Sequence, residues 1–216
     1  MKKCIILANG SAPGISVFNY LKKVGYTTLI CADGGANTAY KLSLHPEIII
    51  GDFDSINEKS LKYFSEKSII VRINRQNDTD VEKCLKYAIK KNFLEAILLG
   101  ATGDRLDHSF CNLGIVIKYF NQITIKVLHH NSFLIPYSGA VQIKTIPKEI
   151  ISIYGLDDKT LIKSYGLKYS INNLLPFGKK ESTSNIAIGS NIKLNIKGGV
   201  AFVIRNFNLM KKNGLI

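Results

Sequence analysis

Residues 28–55 read TLICADGGANTAYKLSLHPEIIIGDFDS, and this stretch decides the fold. The runs at 28–32 and 48–50 are short, aliphatic and rich in β-branched residues, as buried strands are. Each breaks into a loop carrying glycine and aspartate, CADGGAN at 31–37 and GDFDS at 51–55, and a helix-like stretch follows each loop. Strand, acidic loop and helix in alternation build a parallel sheet, which gathers such loops at the carboxyl ends of its strands.

The same unit recurs on both sides. Strands are expected at 4–8, 28–32, 48–50, 69–73, 96–99 and 123–128, with helices between them. In 80–91 the apolar Val81, Cys84, Leu85 and Ala88 recur at the spacing of one buried helix face. The stretch 110–120 is apolar nearly all round and predicts a more deeply buried helix. After His130 helical periodicity disappears, and short β-type runs at 140–146, 150–154, 161–164, 192–196 and 200–206 are divided by Gly, Pro and Asn-Asn. The expected architecture is an α/β parallel-sheet (Rossmann-like) domain over 1–130, then an all-β sandwich-type domain over 131–216.

Two further acidic loops complete the pattern, NRQNDTD at 74–80 and GATGDRLDH at 100–108. Apart from Asp157 and Asp158, every aspartate of the chain lies in these four loops, although the formal net charge is +13. Carboxylates crowded at one sheet edge raise one another's pKa values unless a cation sits among them. Mg²⁺ carrying a nucleotide phosphate suits such oxygen ligands.

With 46% hydrophobic and 21% charged residues the chain is globular and not disordered. The positive charge is spread in pairs such as Lys22-Lys23 and Lys90-Lys91 at expected helix ends, where cations complement the helix dipole. No basic run interleaved with aromatics marks a nucleic-acid partner. No apolar run approaches the roughly 20 residues of a membrane helix. Cys4, Cys31, Cys84 and Cys111 show no metal-site spacing and read as buried free thiols of a reducing, cytoplasmic setting.

Each loop has a plain structural reading beside the chemical one. In GDFDS, Asp52 and Asp54 either face one metal or cap the next helix. Thr79 and Glu82 spell a capping box that explains part of Asp80, whereas Arg75, Gln76 and Asp78 in the same turn suit phosphate, base or ribose, and metal. Asp107 is either a helix N-cap or catalytic, Asp33 is either a turn former or a member of the carboxylate cluster, and Arg105 suits bidentate phosphate contact. His129-His130 reads as a strand end at the domain junction, with metal binding the weaker alternative. The common glycine-rich nucleotide fingerprints are absent.

The four loops in this order, followed by GLKY at 166–169 and STSN at 182–185, resemble thiamine pyrophosphokinase over nearly the whole chain. The resemblance implies an α/β domain followed by a β-sandwich. It also implies a homodimer whose active sites lie between the α/β domain of one subunit and the β domain of the other. It matches the family's metal-binding and catalytic aspartates to Asp33, Asp52, Asp54 and Asp80, with Asp52, Asp54 and Asp80 on the metal, and assigns nucleotide contacts to Asp33, Gln76 and Arg105 and catalytic roles to Arg105 and Asp107. Ser184 and Asn185 match residues that meet thiamine. The chain has no Trp, where animal relatives carry one against the thiamine rings, so Tyr169 or Phe177 would supply the aromatic face. The implied reaction transfers the diphosphate of ATP to the thiamine hydroxyl, with Mg²⁺ as cofactor. Another Mg-dependent transferase using a D-x-D loop is the chemical alternative, and a basic nucleic-acid-binding protein is the alternative from another class.

Overall fold

The computed structural model describes residues 2–74, 77–103, 105–175, 178, 180 and 182–216. The chain divides into two compact units, Met1–His130 and Asn131–Ile216.

The first unit alternates β1 (Lys3–Leu7), α1 (Ile15–Lys23), β2 (Thr28–Ala32), α2 (Gly35–Lys41), β3 (Ile48–Gly51), α3 (Glu58–Phe64), β4 (Ile69–Arg72), α4 (Asp80–Lys90), β5 (Glu95–Leu99), α5 (Leu106–Lys118) and β6 (Thr124–His129). Its strands pair in the order β6-β5-β1-β2-β3-β4, all parallel. The chain runs outward from β1 to β4 and then returns to the other side of β1. Ligands of open α/β sheets bind at such a reversal, outside the carboxyl ends of the strands.

Strands β3 and β5 are buried along their whole length, and β1 and β2 beyond their first residue, which is why their sequences are unbroken aliphatic runs. Each fully buried Ile or Leu there contributes roughly 1.5–3 kcal/mol. At the edge, β4 leaves Ile69 exposed. Helix α4 buries Val81, Cys84, Leu85 and Ala88, as their spacing predicts. Its N-cap Thr79 accepts the Glu82 N–H at 3.2 Å, but the Glu82 carboxylate completes no capping box. It turns instead to Lys118 Nζ and the Tyr119 hydroxyl, each at 2.6 Å, and so ties α4 to the end of α5.

Helix α5 corrects the sequence expectation. It buries Asn112, Ile115 and Val116, while Leu106 is 70% exposed, Phe110 64% and Ile117 43%. An apolar circumference shows that a helix can be buried on every side, but the sheet covers one face only. Cys111 is likewise exposed, whereas Cys4, Cys31 and Cys84 are buried, and all four are free thiols.

The second unit comprises β7 (Ser132–Lys144), β8 (Ile150–Gly155), β9 (Leu161–Tyr165), β10 (Asn172–Leu174), β11 (Ser182–Ile186), β12 (Asn191–Asn206) and α6 (Phe207–Lys212). All its strand pairings are antiparallel. Strand β12 organises them: it pairs with β7 along both halves, with β9 through Lys193 to Lys197 and with β8 through Ala201 to Ile204. The change of neighbour falls at an irregularity between Ile196 and Ala201, where Gly198 has φ +81°. Alternate residues of β8, β9 and β12 enter one core with Ile151, Ile153, Ile162, Ile192 and Leu194.

Here the sequence reading merged and missed elements. The glycine pair that read as a divider lies inside β12, and β7 runs through Pro136 and begins earlier than its expected start. Asn172-Asn173, read as a divider, belongs to β10. Helix α6 follows an Asn206 N-cap whose side chain accepts the Leu209 N–H at 2.9 Å. No helix among the described residues is long and apolar enough to cross a membrane.

Beside this core, Arg205 and Glu149 form a buried bidentate ion pair, Nε to Oε1 at 2.7 Å and Nη2 to Oε2 at 2.8 Å. Arg205 also donates to the Lys144 carbonyl at 2.9 Å, and Glu149 Oε2 accepts the Ile146 N–H at 3.1 Å. Removing one partner strands a buried charge. Glu149→Ala is therefore expected to destabilise the protein by about 3–5 kcal/mol in urea unfolding, whereas replacing both residues with matched apolar side chains should cost far less.

Candidate active site

The four acidic loops meet at the carboxyl edge of the parallel sheet. They line a cavity of about 740 Å³ that includes Asp33, Asp52, Asp54, Asp80, Lys83 and Arg105. Each comes from a different local device.

Asp33 follows β2 with φ +39°, a conformation aspartate tolerates better than most residues. Its N–H bonds the Ile50 carbonyl at 2.9 Å. Its carboxylate accepts the Ile56 N–H at 2.9 Å and the Ser55 N–H at 3.3 Å, so it holds the loop after β3 in place. Burial pushes this carboxyl up to about 6, aided by the Asp80 charge and the Asp54 side chain and opposed by the two N–H donors. Turn former and cluster member, set against each other in the sequence, are one residue. Gly51 permits this packing: a Cβ there would stand 2.7 Å from the Asp33 Cβ.

Asp52 extends from the same loop, and its Oδ1 receives the Asp54 N–H at 3.4 Å. Asp80 occupies the first turn of α4, where the helix dipole favours an anion. One carboxylate oxygen from each of Asp33, Asp52 and Asp80 can lie within 4.8 Å of the others. Three hard oxygen donors at that spacing match what a small divalent cation requires. Asp54 lies outside this trio, and its Oδ1 accepts the Ser55 hydroxyl at 2.8 Å.

Arg105 precedes α5 and binds Asp107 through Nε at 3.2 Å and through Nη2. The guanidinium holds the Asp107 carboxyl down to about 2. Both side chains are exposed, and Asp107 is not among the residues lining the cavity. Gln76 and Phe177 lie outside the described residues. In the second unit, the Asn185 amide is committed internally. Its Oδ1 accepts the Tyr169 N–H at 3.1 Å and the Ile186 N–H at 2.8 Å, and its Nδ2 donates to the Tyr169 carbonyl at 2.7 Å and to Ser182 Oγ at 2.8 Å. This fixes the backbone of Tyr169, whose ring is exposed. Ser184, with φ +54°, donates its N–H to Ser152 Oγ at 3.0 Å.

Sequence reasoning missed two residues. Lys83 is buried and pairs with Asp80 at 2.8 Å, and the available signal was a lysine three residues after an aspartate at the cavity end of α4. Ser109 Oγ accepts the Gly103 N–H at 3.2 Å and donates to the Arg105 carbonyl at 2.9 Å, which ties the Arg105 loop to its helix.

The chain is similar to known proteins. Thiamin pyrophosphokinase 1 of Caenorhabditis elegans is 29% identical over 97% of this chain and 91% of its own length. Thiamine pyrophosphokinase 1 of rice is 24% identical over 81% and 77% respectively. The crystal structure of thiamine pyrophosphokinase from Bacillus subtilis superposes with a TM-score of 0.82 at 24% identity, covering 96% of this chain and 100% of that one. That from Candida albicans gives 0.81 at 19%, covering 95% and 89%. These likenesses establish a shared fold of mixed sheet and helices. Residues 20–127 match the family model for the catalytic domain of thiamin pyrophosphokinase, and the chain belongs to that family.

Proposed function

We propose that this protein transfers the diphosphate of ATP to the hydroxyl of thiamine, giving thiamine diphosphate and AMP. The observation that carries the reading is the meeting of Asp33, Asp52 and Asp80 with Lys83 and Arg105 in one cavity at the switch point of the sheet, in a chain of this family. The thiamine oxygen attacks the β-phosphorus, the bridge between the α- and β-phosphates breaks, and AMP leaves with the bond's electrons. The hydroxyl proton passes late to a carboxylate of the trio. Such transfers run through a loose transition state, so positioning and charge compensation dominate over covalent assistance.

Asp52 and Asp80 would hold Mg²⁺, with Asp33 completing the trio and Asp54 a further oxygen donor in the same cavity. Bound there, the cation would supply charge neutralisation for the phosphate oxygens. Arg105 compensates charge developing toward AMP. Asp107, held at about 2, is a poor proton acceptor near neutrality and acts by orienting Arg105. Gln76 is assigned to the nucleotide by the family pattern. The exposed Tyr169 ring offers a face to cationic thiamine. Ser184 contributes a polar contact beside it, and Asn185 is a positioning residue through its four hydrogen bonds.

The two units correspond in this reading to a Rossmann-like catalytic domain and a sandwich-type thiamine-binding domain. The working form is a homodimer with sites shared between subunits. The exposed apolar stripe of Leu106, Phe110 and Ile117 supports self-association, since such stripes on soluble chains mark covered surfaces. The four free thiols fit a cytoplasmic setting.

Incubated with ATP, Mg²⁺ and thiamine, the protein should form thiamine diphosphate and AMP in equal amounts, and EDTA should abolish the reaction. ADP with thiamine monophosphate would mean that a different bond breaks and would overturn the assignment.

Asp52→Asn and Asp80→Asn should each lower kcat by on the order of 10²-fold or more, the scale for losing a preorganised electrostatic contact. The melting temperature of Asp52→Asn without substrate should stay level or rise, as like-charge repulsion is relieved, whereas Asp80→Asn, which takes the counter-ion from the buried Lys83 ammonium, should lose some stability. A large loss of stability with activity kept in the folded fraction would make these residues helix caps only.

Asp80→Asn and Asn185→Ala should each be nearly inactive alone, yet co-expression should restore roughly a quarter of wild-type activity. Random pairing makes half the dimers mixed, each with one intact site on the closed two-fold arrangement. Demonstrated mixed dimers without recovery would place the site within one chain.

A further inference from the structure

Lys83 lies in the first turns of α4 with its side chain 3% exposed, and it lines the acidic cavity. Its described hydrogen bonding amounts to one contact, to Asp80 Oδ1 at 2.8 Å. An ammonium carries three N–H donors. Burying it with two donors idle is costly, and proteins keep such groups where a ligand or water completes them. An (i, i+3) ion pair stabilises a helix only slightly, so helix support alone does not account for the burial. Across the same cavity the Thr102 hydroxyl is also buried without a partner. The cavity thus holds polar capacity that the protein's own groups leave unfilled, on the side of hydrogen-bond donors and next to carboxylates that suit a cation.

We propose that Lys83 is the exchange cation of this site: it neutralises Asp80 while the metal is away, and it turns its remaining donors to phosphate oxygens when polyphosphate arrives. The lysine therefore opposes binding of a bare divalent cation, by like charge beside a shared carboxylate, and strengthens binding of the anion. The identity of that anion as the phosphate chain of a nucleotide rests on the phosphotransfer reading above. A purely structural lysine would move neither affinity in a set direction, and a simple phosphate contact would leave the metal unaffected.

The test is a pair of equilibrium titrations that involve no thiamine, so loss of the phosphotransfer reading and loss of this one are distinguishable. Binding of Mn²⁺ alone is followed by its paramagnetic resonance signal, and binding of α,β-methylene-ATP at saturating Mg²⁺ by calorimetry. In Lys83→Met, Mn²⁺ should bind about threefold or more tighter and the analogue about tenfold or more weaker, the scale of one charge-assisted contact. Lys83→Gln should shift both in the same two directions, and Lys83→Arg, which keeps the cation, should restore at least part of the analogue's affinity. Shifts of the same sign for both ligands, or no shift in a folded variant, would overturn the proposal. Failure of both the Met and Gln variants to fold would make Lys83 a structural counter-ion and overturn it equally.

Discussion

Carboxylates repel one another, and the first unit brings three of them within 4.8 Å at the carboxyl edge of a parallel sheet. At an effective dielectric near 20, two unit charges about 4 Å apart interact by about 4 kcal/mol, a large part of the net stability of a folded domain. The surrounding structure answers that repulsion piece by piece. Two backbone N–H groups face Asp33, the Lys83 ammonium faces Asp80, and the α4 N-terminus lies beneath Asp80. Asp33 yields partly in the other direction, its carboxyl pushed up toward neutrality. A hard cation with a polyanion is the ligand that the chemistry of such a charge arrangement suits.

The same demand explains why the strands are so uniform. Each carboxylate reaches the cluster from the end of a different element, so small changes in the register of β2, β3 or the start of α4 would scatter them. Aliphatic strands packed on both faces resist such shifts, because interiors packed at crystal-like density have few alternative arrangements. Gly51 marks the narrowest point: its missing side chain lets the loop after β3 lie against Asp33, so that one carboxylate is both a brace and a member of the cluster.

The legibility of this molecule in its sequence was uneven, for physical reasons. Strands β1, β2, β3 and β5 could be read because burial on both faces demands continuous apolar runs, and α4 because one buried face leaves a clear period. Helix α5 misled, since composition reports what a helix can bury and not what covers it. In the second unit Gly198-Gly199 and Pro136 read as breaks, but a bulge between strands absorbs the glycines and the β7 ladder tolerates the proline. The cluster was legible as a set of acidic loops. Its internal wiring was not: the pairings of Lys83 with Asp80 and of Asn185 with Tyr169 join residues whose types are ordinary on a surface, and the burial of Lys83 and Asn185 alone gives them meaning.

Backbone strain is present at two of the acidic loops. Among the described non-glycine residues with positive φ, Ser43 and Asn92 directly follow the ends of helices, where a left-handed residue commonly terminates the turn. His130 and Lys148 also take positive φ outside helix ends, and of the rest Asp33 and Phe53 fall in the CADGGAN and GDFDS loops and Ser184 in β11. Holding a non-glycine residue there costs on the order of 1–3 kcal/mol, and the conformation persists only where surrounding contacts over-determine it. For Asp33 those contacts are its three bonds to the β3 segment, and for Ser184 the bond to Ser152 beside the saturated Asn185 amide. Phe53 packs under the Arg72 guanidinium at 5.2 Å and presents its two flanking aspartates from one strained turn. In the first unit, the strain at Asp33 and Phe53, the crowded carboxylates and the unfilled donors thus coincide at the carboxyl edge, where a ligand can relieve the charge and fill the donors at the same time.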